Sequence, residues 1–317
     1  MNNDNMFIPP HPLNTAVLFL VFNRLDTTKQ VFEAIRQAKP PRLYVAADGA
    51  REGEAKEVKA VREYILQNID WECKVKTLFR EKNLGCKFAV SGGITWFFEQ
   101  EEQGIILEDD CLPTQSFFWF CEELLFRYAK DLRIAQVCGF NSSQSLNQES
   151  DYFFSNLGSV WGWASWKRAW LKYDIHMKDW PIVRDEDMFR GVYVEQSLKT
   201  ERYQAYDSTY KNKIDTWDFQ WAFTRSLNSQ LNIFPSVSLI KQLGFDSRAT
   251  HTKKKPKWVD LANPGETLIP IKIHPIGVTP SWRYEREMVK QFNQGPLRQA
   301  IKFVKRVIRA TMRKIQV

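Results

Sequence analysis

The first half of the chain alternates short apolar runs with segments in which apolar residues recur every three or four positions. Four strands are predicted, at the mainly apolar runs 16–22, 42–47 and 104–107 and at the mixed segment 73–79. The periodic segments predict four helices, at 26–38, 54–67, 88–99 and 117–130. This βαβα order predicts an α/β fold, in which right-handed crossovers build a parallel sheet.

Polar side chains follow each of the four predicted strands. They are Asn23 and Arg24, Asp48, Arg80 with Asn83, and the acidic triplet Glu108, Asp109 and Asp110. The carboxyl ends of parallel strands meet at one edge of a sheet, and ligands bind there. We therefore expect these side chains to form one site.

The acidic triplet is the strongest chemical signal. Buried carboxylates are costly unless a positive charge neutralises them, and their oxygens suit Mg²⁺ or Mn²⁺. The triplet predicts a site for a metal and a diphosphate. The alternative is an acidic loop, or the acidic first turn of a helix. Because no glycine-rich phosphate loop follows the first strand, the sequence disfavours dehydrogenases and P-loop NTPases.

The composition is that of an ordinary globular protein, with 317 residues, 44% hydrophobic and 26% charged. We divide the chain into a tail (1–14), one α/β domain (15–280, with a nucleotide-sugar half at 15–130 and an acceptor half at 131–280) and a C-terminal helix (281–317). The five cysteines lack metal-ligand spacing, which predicts reduced thiols. No secretory h-region or membrane span is evident, so we expect a cytoplasmic protein.

The net charge of +8 is concentrated at the C-terminus. From Leu297 onward there are seven basic residues and no acidic one, and apolar residues recur every three or four positions. This pattern predicts a basic amphipathic helix that lies on the anionic inner face of a membrane, or else packs on the body. The remainder of the chain is not basic, so we expect no nucleic-acid partner.

Two tryptophan-rich motifs lie in the second half. Trp161 and Trp163 flank a glycine, and tryptophan rings bury sugar C–H surface; the alternative is a packed core strand. Trp217 precedes Asp218, whose aromatic surroundings favour a general base. The alternative is that Asp218, or the second candidate base Asp215, caps the helix that follows.

The segment from Val17 to Arg24, Asp48 with Gly49, and the motif Leu107-Glu108-Asp109-Asp110 with its downstream Pro113 together resemble the nucleotide-sugar glycosyltransferases of the GT-A fold. They are most similar to the inverting N-acetylglucosaminyltransferase I family and its bacterial relatives. The resemblance covers residues 15–130 well and 155–252 more loosely.

The resemblance implies a GT-A (Rossmann-like) sheet and an inverting transfer from a UDP-sugar, with GlcNAc or a related hexose as the sugar. Asp48 would bind uridine, Asp110 the metal (Mn²⁺ or Mg²⁺), and Glu108 and Asp109 the ribose and sugar. Asp218 would be the base, and Arg24, Arg80 and Asn83 would also contact the donor. Trp161, Trp163 and Trp217 would contact a glycan or lipid-linked acceptor.

Three interpretations stay open at the level of sequence. His251, in the segment 244–252, is a candidate metal or phosphate ligand, although a lone histidine is commonly structural. A sugar nucleotidyltransferase shares the sheet and the carboxylate–metal chemistry, but it usually has a glycine-rich N-terminal loop. A non-catalytic carbohydrate-binding protein would use the tryptophans without needing Asp110 or Asp218.

Overall fold

The structure is a computed structural model that describes residues 7–143, 149–193, 195–245, 259, 262, 264–267 and 269–293. The strands are β1 Val17–Val21, β2 Arg42–Ala47, β3 Lys74–Phe79, β4 Gln103–Glu108, β5 Cys111–Pro113, β6 Ile134–Cys138, β7 Tyr152–Ser155, β8 Trp163–Trp166, β9 Leu231–Pro235 and β10 Ile240–Gln242. The helices are α1 Leu25–Ala38, α2 Ala55–Gln67, α3 Gly85–Phe98, α4 Ser116–Arg127, α5 Lys167–Trp170, α6 Trp180–Asp185, α7 Gln196–Tyr210, α8 Asp218–Leu227 and α9 Trp282–Asn293.

Eight strands form one central sheet in the order β3-β2-β1-β4-β8-β6-β9-β7. The pairs among β3, β2, β1 and β4 are parallel, as is the pair of β6 with β9. Only β8 and β7 run against their neighbours. The predicted α/β class, with a mostly parallel sheet flanked by helices in a Rossmann-like GT-A arrangement, is confirmed. Since β8 lies between β4 and β6, both predicted halves share this sheet.

The two faces of the sheet are covered by different helices. Phe19 of β1 belongs to a buried cluster that includes Phe32 of α1 and Phe117 of α4. Leu20, one residue on, belongs to the opposite cluster, with Phe97 of α3. Coverage on both faces explains why β1 reads as an unbroken apolar run.

The second half differs from the sequence prediction at one strand. The segment 235–240 by itself predicts a strand, and this prediction is wrong: β9 ends at Pro235 and β10 begins at Ile240. Proline cannot donate to a strand ladder, so it suits the last position of β9. The polar stretch 174–210 contains α6 and α7, which build a third apolar cluster around Trp180.

The C-terminal part of the described chain packs on the body. Tyr284 and Met288 of α9 are buried in the third cluster, and Glu285 accepts hydrogen bonds from Ser155 Oγ and Asn156 N, both at 2.7 Å. The basic segment from Leu297 onward lies outside the described residues. Within the described residues, no helix has the length and apolar character that crossing a bilayer requires.

Candidate functional site

A cavity of about 280 Å³ opens at the carboxyl ends of β1, β2 and β4. Its lining includes all six residues predicted to contact a donor: Arg24, Asp48, Arg80, Asn83, Glu108 and Asp109. They come from four separate strand ends, and the parallel register brings them together. The predicted meeting of these side chains at one edge of the sheet is therefore what the structure shows.

Arg24 neutralises the end of the acidic triplet. Its Nη2 lies 2.7 Å from Asp109 Oδ1 and 2.7 Å from Asp110 Oδ2, and all three side chains are largely buried. Burial lowers the pKa of Arg24, but the two aspartates outweigh it and raise that pKa above its ordinary value. Asp109 Oδ2 also accepts the Phe22 N–H at 3.2 Å. The carboxylates are thus compensated by the chain itself.

Gly244 packs directly against the ion pair of Arg24 with Asp110. Leu243 N donates to the carbonyl of Asp110 at 2.8 Å, which brings the next residue against the Asp110 carboxylate. A Cβ at position 244 would collide with Asp110 Oδ2, so only glycine permits this approach. Leu243 and Gly244, which follow β10, therefore lie directly beside the acidic triplet.

Asp48 organises the floor of the cavity. Its carboxylate accepts the backbone N–H groups of Gly49 (2.9 Å), Leu84 (3.0 Å) and Gly85 (3.1 Å). Asn83 Nδ2 donates to the carbonyl of Gly49 at 2.7 Å. These bonds join the exit loops of β2 and β3, so Asp48 and Asn83 shape the wall that a ligand would meet.

Three arginines, Arg24, Arg51 and Arg80, line the cavity among the described residues. Of these, Arg51 was not predicted from the sequence. Arg51 lies 3.7 Å from Glu54 and stacks over the Phe22 ring at 5.0 Å. Arg80 packs against Gly92 and has no carboxylate within 4 Å among the described residues. Arg51 stands three residues after Asp48, so the polar run that follows β2 was the signal available in the sequence. Guanidinium groups bind phosphate oxygens strongly.

Glu108 lines the cavity and is partly exposed to it. Burial, followed by the negative charges of Asp110, Asp109 and Asp218, raises the pKa of Glu108 to about 8. Burial also raises the pKa of Asp109 to about 6, against the opposing effect of Arg24. Glu108 is therefore mostly protonated at neutral pH in the folded protein.

This raised pKa predicts a pH dependence of stability. In the unfolded chain a glutamate ionises near pH ~4.3, whereas folded Glu108 holds its proton to about pH 8. The unfolded state therefore binds fewer protons across that window, and the free energy of unfolding falls as pH rises. We expect the free energy of unfolding of Glu108→Gln, measured by urea denaturation in EDTA, to increase relative to that of the wild type as the pH rises from 5 to 8.

The exposed Glu102, whose side chain is 84% accessible, provides the control. Glu102→Gln should leave the pH slope of the wild type unchanged. If Glu108→Gln showed the same slope as the wild type, Glu108 would be ionised in the folded protein and our assignment would be wrong.

Asp218 is the first residue of α8 and lies close to the cavity wall. Its negative charge helps to raise the pKa of Glu108 and of Cys86, both of which line the cavity. Its Oδ1 accepts hydrogen bonds from Thr216 Oγ1 and from Phe219 N. The position before the helix is Trp217, and no side chain caps α8, so the capping alternative does not hold for Asp218.

Asp215 has a different environment. Its two oxygens accept the N–H groups of Cys86 at 3.1 Å and Lys87 at 3.0 Å, at the start of α3. It therefore caps a helix, but this helix is α3, which begins 130 residues before Asp215, and not α8, which follows it. With both oxygens engaged, Asp215 is poorly suited to accept a proton from substrate.

The three candidate acceptor tryptophans have different degrees of exposure. Trp163 and Trp217 are 0% and 3% exposed and stack on each other at 5.8 Å. Their rings belong to the buried cluster next to α8. Trp161 is half-buried and contacts Phe140 and Phe245. Of the three, Trp161 retains surface that a ligand can reach.

Asp109 and Asp110 present carboxylate oxygens, the donor type that Mg²⁺ and Mn²⁺ take, and each already pairs with Arg24 at 2.7 Å. The described residues contain no group of three potential metal ligands, and His251 lies outside them. Oxygen donors of this kind fit Mg²⁺ or Mn²⁺, which commonly take one or two carboxylates and fill their coordination with phosphate and water. The donor type therefore fits such an ion, with Arg24 as its competitor for Asp110.

No protein-family model and no curated protein matches this chain. Among solved structures, S. aureus TarS (residues 1–349) aligns with 72% of this chain and 59% of its own, at 11% identity and a TM-score of 0.41. The glycosyltransferase GlyE of Streptococcus pneumoniae aligns with 79% and 60%, at 13% identity and 0.32. HddC of Yersinia pseudotuberculosis aligns with 49% and 77%, at 9% identity and 0.31.

This chain thus spans about three fifths of the TarS and GlyE chains that it resembles. At these TM-scores the likeness is partial. The fold assignment depends on the strand order of the molecule itself.

Proposed function

We propose that this protein is a glycosyltransferase that moves a sugar, GlcNAc or a related hexose, from a UDP-sugar to an acceptor hydroxyl. The observation that carries the proposal is the cavity at the strand ends, which is lined by Arg24, Arg51 and Arg80 together with Glu108 and Asp109. Arginines suit a diphosphate, and carboxylates suit sugar hydroxyls. The absence of a glycine-rich loop between β1 and α1 favours a glycosyltransferase over a sugar nucleotidyltransferase.

Each side chain has a distinct part in the proposed reaction. Arg80 binds the diphosphate, because no described carboxylate competes for its guanidinium. Protonated Glu108 donates a hydrogen bond to a donor hydroxyl, while ionised Asp109 accepts one. Asp48 and Asn83 hold the wall that meets the nucleoside.

Asp110, with Asp109, would hold a Mn²⁺ or Mg²⁺ ion when the donor is bound. The ion would stabilise the charge that develops on the departing nucleotide diphosphate. Arg24, which pairs with both Asp109 and Asp110, would then exchange these carboxylates for the phosphates of the donor. His251 is proposed as an additional ligand.

Asp218 acts as the general base, taking the proton of the acceptor hydroxyl as that oxygen attacks the anomeric carbon. The effect of its charge on Glu108 supports a position near the proposed sugar end of the cavity, and attack from the face opposite the diphosphate would invert the anomeric centre. Trp161, half-buried beside Phe245, would contact the acceptor. A glycan or lipid-linked acceptor suits the basic C-terminal segment, which would approach an anionic membrane.

The proposal predicts metal-dependent release of UDP from UDP-GlcNAc. We expect Mn²⁺ to support turnover, EDTA to abolish it, and Asp110→Asn to lower it at least 100-fold, since one removed transition-state contact costs 10²–10³ in rate, on the order of 3–4 kcal/mol. The exposed Asp70 supplies the matched control, Asp70→Asn, with no expected change.

Two outcomes would redirect the proposal. Turnover that survives in EDTA and in Asp110→Asn would remove the metal from the reaction. Glycan binding that persists in Asp110→Asn and Asp218→Asn, with no turnover of any nucleotide sugar, would identify a carbohydrate-binding protein.

A further inference from the structure

The N-terminus of α3 is held by carboxylates from both halves of the sheet. Asp48 accepts the N–H groups of Leu84 and Gly85, and Asp215 accepts those of Cys86 and Lys87. These four consecutive donors are the ones that a helix leaves without internal partners. Two aspartates, 167 residues apart in the chain, therefore meet at one helix end.

The contact with Asp215 is close and locally reinforced. Gly85 has a φ of +77°, and a Cβ there would lie 2.9 Å from Asp215 Oδ2. Lys87, only 7% exposed, donates from Nζ to Asn212 Oδ1 at 2.9 Å. Three hydrogen bonds thus fasten the loop 212–215 to the first turn of α3.

This fastening connects the two sides of the candidate site. The same helix presents Cys86, Ala89 and Val90 to the cavity. The fastened loop leads directly into Asp218, three residues beyond Asp215. A shift of this loop would therefore move Asp218 relative to the cavity wall.

We propose that Asp215 is a positioning residue, which sets the distance between the base Asp218 and the donor cavity by capping α3. The inference rests on the proposed function, in which Asp218 is the base. It assigns no proton transfer to Asp215, because both of its oxygens are engaged by backbone N–H groups. A misplacement of about 1 Å at a reacting group can lower a rate 100-fold.

The test compares Asp215→Asn with Asp174→Asn. Asp174 is the matched control, since it also accepts two backbone N–H groups, from His176 and Lys178, both at 2.9 Å, yet lies outside the cavity lining. An asparagine at 215 keeps one acceptor oxygen and presents an NH₂ group to an N–H. We expect kcat for UDP-GlcNAc to fall at least tenfold, while KM changes less than twofold.

Hydrogen exchange gives a second readout, independent of turnover. In Asp215→Asn the amides of Cys86 and Lys87 should exchange at least tenfold faster, and in Asp174→Asn they should not change. Gly85→Ala, whose Cβ would lie 2.9 Å from Asp215 Oδ2, should lower kcat in the same way.

The outcomes distinguish failure of the positioning role of Asp215 from failure of the proposed function. If the wild type turns over and kcat is unchanged in Asp215→Asn and in Gly85→Ala, the positioning role is overturned while the proposed function stands. A rise in KM with unchanged kcat would also overturn it, because α3 would then shape the cavity alone. If the wild type releases no UDP from UDP-GlcNAc, the proposed function fails first, and the positioning role falls with it.

Discussion

Asp218→Asn should lower kcat for sugar transfer by about 10²–10⁴-fold, the range over which a general base contributes. The amide preserves the size of the side chain and the hydrogen bond from Phe219 N, so the structure of α8 should persist. UDP binding should change less than twofold, because Asp218 is absent from the lining of the cavity. Steady-state kinetics and calorimetric titration with UDP measure the two effects separately.

The control for this variant is Asp207→Asn. Asp207 lies on α7 and pairs with Lys211 and Arg184 near the surface. It should retain full kcat. A kcat in Asp218→Asn within threefold of the wild type would exclude Asp218 as the base.

Arg24→Met should destabilise the protein by about 3–5 kcal/mol, the cost of removing one partner from a buried ion pair. The variant leaves Asp109 and Asp110 without their shared guanidinium, in a site where both are largely buried. Because their protonated forms avoid the buried charge, the deficit should be smaller at pH 5 than at pH 8. Urea denaturation at the two pH values gives the comparison.

Arg36→Met is the matched control, because Arg36 also contacts two carboxylates, those of Glu33 and Asp70, but at an exposed position. Exposed pairs contribute little to stability, so no measurable change is expected there. Arg24→Lys, which retains a positive charge, should recover part of the lost stability. Equal behaviour of Arg24→Met and Arg36→Met would mean that the acidic triplet does not depend on Arg24.

The edge of the sheet could be predicted because its signals are local. Each of β1 to β4 is followed by polar residues, and the parallel order places those ends together without knowledge of any contact. The start of α3 was predicted three residues late for the opposite reason. Its first turn depends on Gly85 at a positive φ and on carboxylates supplied from distant parts of the chain.

Pairings between distant residues account for the remaining differences. The sequence predicted that Arg24 and the acidic triplet would share one site, but not that Arg24 would pair with Asp109 and Asp110, about 85 positions away, or that Asp215 would cap a helix about 130 positions earlier. The tryptophans were open to two interpretations because the same ring suits a sugar or a core. The complete burial of Trp163, which is 0% exposed, could be known only from the packing of β8 against α8.

The most direct test of the nucleotide-sugar site is a thermal-shift screen of nucleotide diphosphates, each with Mn²⁺ and with EDTA. A ligand at about 100 times its Kd adds about 2.7 kcal/mol to the free energy of unfolding, which is a readable shift for a domain of this size. We expect UDP to raise Tm in Mn²⁺ and to lose that effect in Asp110→Asn. An unchanged Tm with every nucleotide diphosphate would contradict the assignment of this cavity to a nucleotide-sugar donor.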